Sequence, residues 1–438
     1  MQSRHFVMGA AVLLAQLFPL HTLASEPQGA PFAVDRQMRS SDTSTAPLTL
    51  EQAISMTLLT SPELRSAVQG LLIAEATREQ AGLAPNPELS MLREGMSAAN
   101  RTDTVQISQA LETGGKRGAR IRLADRDHAL AQAEVAVTRA ELRAGVTAAY
   151  LDALTAQEHV TLAQESLSLA GKAANAAGRR VAAGKISPLE HTRSSVAEAG
   201  ARLELSQALS DAALARRRLA AFWGSTQLDE RSLVTPDINL AAIPALSALQ
   251  ARLDISPQMQ RARMQIAREE AQVRLARADG IPDLTLTVGN KKESQSNTSQ
   301  TIVGLSIPLP LFNRNQGNLL AALRRVDKAK TDAEVEYLKA TQALAETHQR
   351  TLVLQEQLES MRKEILPAAQ RAFDAAVTGF ELGKFGFIDV LDAQRTLFQS
   401  RAQYLSTLSA RYRALAELER YVVVEDKAGN LPADRNTK

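Results

Sequence analysis

The hydrophobic residues of this chain follow two patterns that alternate along its length. In long alanine-rich stretches they recur every seven residues, as at Leu123, Leu130 and Val137. In shorter stretches apolar and polar side chains alternate one by one, as in residues 284–288. The first pattern predicts long helices packed side by side, and the second predicts strands with one apolar and one polar face. The predicted fold class is therefore mainly α with a small β part.

Two of the predicted helices are far longer than the average globular helix of about 11–12 residues. The first covers residues 117–180, which contain no proline, and would span on the order of 90–100 Å at ~1.5 Å per residue. The second covers residues 318–379, where Pro367 is expected to kink or break the helix. Shorter helices are predicted over residues 50–82 and 245–279.

The strand candidates form two pairs, at residues 88–96 with 103–112 and at residues 283–291 with 299–311. Each pair is joined by a polar segment, which predicts β-hairpins at about 88–112 and about 283–311. Single-chain membrane barrels begin at ~8 strands, and an open edge in lipid leaves unpaired backbone groups that cost several kcal/mol each. Either the hairpins are soluble, or several copies of the chain pool their strands; three copies would give twelve strands and a lumen. We favour the homotrimer, with outer-membrane lipid around it.

Motifs of the first half recur in the same order in the second half. Ser61-Pro62 is answered by Ser256-Pro257, and Gly184-Lys185 is answered by Gly383-Lys384. This shared order indicates an internal duplication. The predicted divisions are a signal peptide (1–24), an extended segment (25–48), a first repeat (49–224), a linker (225–244), a second repeat (245–424) and a C-terminal tail (425–438). Each repeat is predicted to contain a helical hairpin, with its tip at about 180–190 or 379–392.

The N-terminal residues have the features of a secretory signal peptide. A basic start leads into the apolar run 6–15, and small residues precede the polar Ser25. The run is shorter than the ~20 residues of a spanning helix, and no later segment approaches ~18 continuous apolar residues. The chain contains no cysteine, so an anchor acylated on cysteine is excluded and we expect no lipoprotein. A periplasmic, exported or outer-membrane protein is expected.

Charge and motifs argue against nucleic-acid binding and against catalysis. The chain has 51 Lys and Arg against 48 Asp and Glu, so the net charge is only +3. The P-loop, GxGxxG, GxSxG and HExxH motifs are all missing from the sequence, and the six histidines do not pair at metal-ligand spacing. His191 follows Glu190 near a predicted tip, where a surface histidine is favoured over a metal contact. We therefore expect no enzyme, no cofactor and no resident metal.

Turn residues stand at or just after the end of the second strand of each pair. Gly114 and Gly115 follow the first hairpin, Pro308 and Pro310 stand near the end of the second, and Gly317 follows it. Proline removes a donor from the sheet and ends a strand, whereas glycine permits a positive φ where the chain turns from sheet to helix. These residues are predicted to shape the strand-to-helix turns.

The order of these motifs resembles that of the TolC family of outer-membrane efflux channels across essentially all of residues 48–424. Gly114-Gly115-Lys116-Arg117-Gly118 and the string 307–317 are similar to the family's strand-to-helix turns, and the second string is similar to its heavy-metal branch. The resemblance implies a trimeric twelve-stranded β-barrel continuous with a long α-helical barrel. It also implies a periplasmic adaptor and an inner-membrane RND pump as partners, and passive conduction of heavy-metal cations.

The resemblance assigns the two helical tips to the periplasmic end of the channel. The residues expected to contact the adaptor are Gly184, Lys185, Ser187, Gly383 and Lys384. The alternative is that these turns are plain connectors.

The resemblance also suggests acidic residues at the channel entrance. Asp389 and Asp392 share a helix face, and Glu190 stands at the matching position of the first repeat. Threefold symmetry would stack the aspartates as carboxylate rings that attract cations. The alternative is a solvated helix start, where acids also favour the helix dipole. Phe380 and Phe385 stand where some family members carry polar residues that latch the entrance.

Two other functions remain open at this point. A channel for drugs or other small molecules would have nearly the same sequence features. A periplasmic coiled-coil adaptor fits less well, because it would not need two amphipathic strand pairs at matching places.

Overall fold

The computed structural model describes residues 46–95, 97, 100–226, 231–236, 243–382 and 384–421, so the predicted signal peptide, the C-terminal tail and Gly383 lie outside the described residues. The chain is mainly helical, with one small sheet, as expected. None of the described helices is both long and apolar enough to cross a membrane. The elements, in chain order, are α1 (Leu50–Thr60), α2 (Pro62–Ala81), β1 (Glu88–Glu94), β2 (Thr102–Leu111), α3 (Lys116–Ala182), α4 (Pro188–Ala221), α5 (Leu246–Leu253), α6 (Pro257–Asp279), β3 (Leu284–Glu293), β4 (Thr298–Ser306), α7 (Gln316–Ser360), a π-helical turn (Met361–Ile365), α8 (Leu366–Glu381) and α9 (Phe387–Tyr421).

One helix was predicted at 50–82 and one at 245–279, but each of these segments forms two helices. The prediction of a continuous helix was therefore wrong in both places. The breaks fall at the Ser-Pro pairs, where Pro62 begins α2 and Pro257 begins α6. Proline disfavours the α conformation of the preceding residue, whereas at the first helical position its missing N–H costs nothing. Ser256 then caps α6, because its hydroxyl accepts the N–H of Met259 at 3.4 Å.

The four strands form a single antiparallel sheet in the order β1-β2-β3-β4. The central β2–β3 pair joins the two hairpins, with Ile107 opposite Val288. β4 ends at Ser306, so the predicted strand 299–311 was too long at its C-terminal end. The reason is that Pro308 and Pro310 have no N–H to donate to a sheet.

The long helices have the predicted extent. α3 has 67 residues, which corresponds to about 100 Å at ~1.5 Å per residue. α7 continues for 45 residues into the π-helical turn, in which the N–H of Leu366 reaches the carbonyl of Met361. The helix is therefore not broken at Pro367; the interruption of the α-helix is a π-helical turn on the N-terminal side of the proline.

The largest core cluster lies around the middle of α3. Tyr150 is fully buried there, and its hydroxyl lies 2.7 Å from the carbonyl oxygen of Leu48 and 3.0 Å from the N–H of Val234. Leu48 and Leu233 form an isolated parallel β-bridge beside the Tyr150 hydroxyl. Burying each large apolar side chain stabilises the fold by about 1.5–3 kcal/mol. This cluster fixes the segment before α1 and part of the predicted linker against the long helix.

Candidate functional site

The four-stranded sheet has one apolar face that is open to its surroundings. Cross-strand register places Leu89, Ile107, Val288 and Val303 in one row on this face. Exposed large apolar side chains on it are Leu89, Met91, Val105, Ile107, Leu111, Leu286, Val288, Val303 and Leu305. A surface of this kind is typical of contact with lipid or with another protein.

The opposite face of the sheet is mostly polar. Ser108 and Thr287 lie side by side on it, with their hydroxyl oxygens 3.0 Å apart. Gln106 and Thr104 continue this face along β2, while Leu92 is an apolar exception. The sheet therefore has an apolar face and a polar face, and nothing within the described part of the chain covers the apolar face.

Charged residues limit the apolar face at its hairpin-tip end. Arg93, Asp103 and Lys292 stand in register on the same face. Asp103 accepts from Arg93 at 2.6 Å and lies 3.2 Å from Arg101. The apolar rows therefore form a band with a charged margin.

The strand-to-helix turns are built differently in the two repeats. Gly114 and Gly115 both have positive φ, of 65° and 72°, as predicted. A Cβ on Gly114 would lie 2.8 Å from the Cβ of Ile281, so this turn also needs glycine for close approach. Gly317 does not take a positive φ. It lies inside α7, and Asn315 adopts the left-handed conformation instead, at φ 60°.

An ion pair connects the first strand-to-helix turn to the segment between α6 and β3. Asp283 accepts from Lys116 at 2.8 Å and from the N–H of Thr113 at 3.0 Å. Burial alone would raise the pKa of Asp283, but these hydrogen bonds outweigh burial and lower that pKa. The carboxylate therefore stays charged and holds the start of β3 against the start of α3.

The first helical tip is a tight turn between α3 and α4. Gly184 has φ 67°, its N–H donates to the carbonyl of Val181, and the N–H of Lys185 donates to the carbonyl of Arg180, each at 2.9 Å. This pair of bonds is a Schellman motif. Ser187 caps α4 by accepting the N–H of Leu189 at 3.3 Å. Gly184, Lys185 and Ser187 are all exposed.

The second tip, between α8 and α9, repeats part of this geometry. The N–H of Lys384 donates to the carbonyl of Gly379 at 2.8 Å, and Lys384 is exposed. The ring of Phe385 packs directly on Gly379, where a Cβ would overlap the ring. Asp389 accepts the N–H of Gly386 at 2.8 Å and thereby caps α9.

A family model described as outer membrane efflux protein matches residues 53–225 and 248–422, which are most of the chain. The chain belongs to the outer membrane efflux protein family. The resemblance to TolC-like channels inferred from the sequence is therefore confirmed.

Individual efflux proteins are similar over most of their length. The cobalt-zinc-cadmium resistance protein CzcC of Cupriavidus metallidurans is 40% identical over 377 residues, which are 85% of this chain and 90% of that protein. The nickel-cobalt-cadmium resistance protein NccC of Alcaligenes xylosoxydans xylosoxydans is 29% identical, with 67% of each protein covered. The open-state structure of the MtrE outer membrane channel of Neisseria gonorrhoeae has a TM-score of 0.72 at 21% identity, and the match covers 85% of this chain and 88% of MtrE. At that identity the structural similarity shows a shared fold and nothing more.

The acidic residues predicted for the entrance lie at equivalent places in this efflux-family chain. Asp389 is the third residue of α9 and Glu190 is the third residue of α4. Asp389 and Asp392 are exposed, whereas Glu190 is half-buried and lies 3.8 Å from Arg193. No hydrogen bond or ion pair among the described residues joins Glu190 to either aspartate.

Two contacts at the tips were not predicted from the sequence. Arg180, near the end of α3, stacks over the ring of Phe380 on α8 and so joins the two helical hairpins. His191 lies against Gly178, where a Cβ would be 3.3 Å from its ring, so it packs within the first hairpin. No group of three potential metal ligands was found among the described residues. The unusual Phe380 was the only signal in the sequence for the first contact.

Proposed function

We propose that three copies of this chain form a channel across the outer membrane, with the helices continuing the channel into the periplasm. The observation that carries the proposal is the two-faced sheet. Its exposed apolar rows, which include Val288 and Val303, suit lipid, and its polar face suits a water-filled lumen. The apolar band ends at the charged residues around Asp103, as expected at a membrane surface.

The need for three copies follows from the edges of the sheet. β1 and β4 each pair on one side only within the described residues. Four strands are too few for a barrel, and open edges in lipid cost several kcal/mol per unpaired group. Twelve strands from three chains would pair β4 of one copy with β1 of the next.

A second surface supports lateral association of copies. α4 buries Ser194 and Ala201 against its own chain, while Val196 and Leu203, two positions further on, are 68% and 73% exposed. Two residues on a helix correspond to a rotation of about 200°, so these apolar side chains lie on the opposite side. In a closed helical wall every helix has two neighbours, and a second copy would cover this side.

The helical tips are proposed to be the periplasmic end of the channel. The exposed turns at Gly184, Lys185, Ser187 and Lys384 would meet a periplasmic adaptor bound to an inner-membrane RND pump, and Gly383 is included in this proposal on sequence alone. Asp389 and Asp392, with Glu190 near them, would line the entrance and favour cations. The chain itself would conduct passively and catalyse no reaction.

The proposed organisation of the chain is two structural repeats, residues 49–224 and 245–424. The family model matches the chain in two segments of similar length, 53–225 and 248–422, which supports this division. Each repeat supplies one β-hairpin and one helical hairpin.

Heavy-metal cations are the proposed cargo. The support is the 40% identity to a protein named for cobalt, zinc and cadmium resistance, together with exposed carboxylates at the proposed entrance. A channel for drugs or other small molecules is the alternative. The two kinds of cargo can be distinguished with a strain that lacks this gene and related channel genes. Its growth would be measured on zinc, cobalt, cadmium, nickel and copper.

The expected result is loss of tolerance to at least one of these metals, restored by the wild-type gene. Restoration by a double variant of the sheet, Val288→Lys with Val303→Lys, should fail. Unchanged metal tolerance together with increased sensitivity to dyes or antibiotics would contradict the metal cargo but not the channel.

A further inference from the structure

An almost completely buried guanidinium group lies without a partner on α9. Arg411 is 2% exposed. It forms no hydrogen bond or ion pair with any described residue, and its Nε is a buried donor with no acceptor. Arginine keeps its proton in proteins, and a buried charge without a partner is strongly unfavourable. The position therefore calls for a compensating negative group.

A cavity of about 500 Å³ opens beside this guanidinium, between α7 and α9. Arg362 and Lys363 line it together with Arg411, so three cations face the same space. Gln355 and the hydroxyl-bearing Tyr404 add hydrogen-bonding groups to the wall. Cavities of roughly 300–1,000 Å³ are the size that binds small molecules.

The π-helical turn Met361–Ile365 supplies two of the three cations. Its i→i+5 bond inserts a wide turn into the long helical rod. Such turns are rare and often occur at functional sites. Here the turn places Arg362 and Lys363 at the cavity that Arg411 lines.

The one carboxylate in the cavity wall is already engaged. Glu359 accepts from Lys363 at 2.8 Å. Burial lowers the pKa of Arg411. Tyr412 and Glu359 act in the opposite direction, but together they do not offset the effect of burial. The lining groups therefore carry three positive charges against one negative charge.

We propose that this cavity binds a small oxyanion, through Arg411 at its buried end and Arg362 and Lys363 beside it. The forked guanidinium suits two oxygens of one phosphate or carboxylate group, and the lysine adds a point charge. The site lies within one protomer. It is therefore independent of the proposed cargo and would stand if the channel carried something other than metal ions.

Thermal unfolding of the purified, detergent-solubilised full chain tests the proposal, with inorganic phosphate as the probe. Phosphate should raise the Tm in a saturable way compared with chloride at equal ionic strength. Titration calorimetry should give one site per protomer. Absence of a saturable response in the wild-type protein would overturn the proposal, whether the space is empty or filled by a neighbouring copy.

Arg411→Met removes the charge while keeping an unbranched side chain of similar reach. It should weaken phosphate binding at least tenfold, while the Tm without phosphate stays the same or rises, because a buried charge has been replaced by an apolar group. The matched control is Arg413→Met on the same helix, since Arg413 is largely exposed and paired with Asp152 outside the cavity. An equal loss of phosphate binding in both variants would contradict the assignment.

Glu359→Gln separates the proposal from a simpler internal pairing. If an anion is the partner of Arg411, removing the nearby carboxylate should tighten phosphate binding a few-fold. A lower Tm with no gain in phosphate affinity would show instead that Glu359 itself compensates Arg411, and would overturn the proposal.

Discussion

The guanidinium of Arg180 lies 4.0 Å from the centre of the Phe380 ring. This cation–π contact joins the C-terminal end of α3 to α8 and therefore connects the helical tips of the two repeats. Contacts of this kind contribute about 0.5–1 kcal/mol at exposed sites. We therefore propose that this contact holds the tips together.

We expect Phe380→Leu to loosen the tips. The loss of about 0.5–1 kcal/mol corresponds to a two- to fivefold increase in the open population. Single-channel recording in planar bilayers should show more frequent openings for the variant. The control is Phe398→Leu, because its ring is 6.0 Å from Arg401 and lies further along α9. An unchanged open probability in Phe380→Leu would exclude this contact as a gate.

Asp392→Asn tests the proposed acidic entrance without disturbing a helix cap. Asp389 caps α9 through Gly386, whereas Asp392 is exposed and its carboxylate has no such role. In a trimer the substitution removes three negative charges from one ring, so cation selectivity should fall. Reversal potentials across a KCl gradient measure the effect.

The matched control for this experiment is Asp332→Asn, because Asp332 lies on α7 and pairs with Lys328 at 2.5 Å, far along the chain from the tip. Selectivity that changes equally in both variants would indicate a general effect of net charge. In that case Asp392 does not line the entrance.

Gly379→Ala should disturb the second tip. A Cβ at this position overlaps the ring of Phe385, so the ring must move away or the turn must open. We expect faster proteolysis at the tip and a lower Tm. The free energy of unfolding should fall by about 1–3 kcal/mol. Gly70→Ala is the control: nothing lies within 4 Å of its added Cβ within α2, so it should be neutral or stabilising.

Much of this architecture could be predicted from the sequence because each pattern acts locally. Alternation in β2 and β3 indicated strands with two different faces, and Gly114-Gly115 indicated a turn from sheet to helix. The positive φ expected at Gly317 is found at Asn315 instead, because both residue types tolerate this conformation and only packing decides which residue adopts it. Asn315 is fixed there by its side-chain amide, which donates to the carbonyl of Ala276 at 2.8 Å.

Other features depend on residues that are distant in sequence. Arg180 and Phe380 meet only because α3 and α8 end at the same place, and no local pattern signals that meeting. The π-helical turn was indicated only by Pro367, since Met361–Ile365 consists of residues that also suit an α-helix. Arg411 was overlooked because an arginine in a helical stretch is usually exposed.

Val196→Asp with Leu203→Asp tests the proposed contact between copies. Both side chains are exposed on one side of α4, where a neighbouring chain would bury them. Placing charges there should abolish the trimer, because an unpaired charge would be buried at the interface. Light scattering of the detergent-solubilised protein measures the mass. Leu59→Asp, at a similarly exposed residue of α1, should remain trimeric.

Lysine substitutions on the two faces of β3 test the orientation of the sheet in the membrane. Val288 lies on the apolar face and its neighbour Thr287 lies on the polar face at the same level. A lysine on the lipid side of a strand costs about 2–4 kcal/mol near the bilayer midplane, whereas a lumen-facing lysine is tolerated. Val288→Lys should therefore reduce folding into lipid vesicles in urea titrations, and Thr287→Lys should fold normally but conduct cations less well. Equal folding of the two variants would mean that the apolar rows do not face lipid.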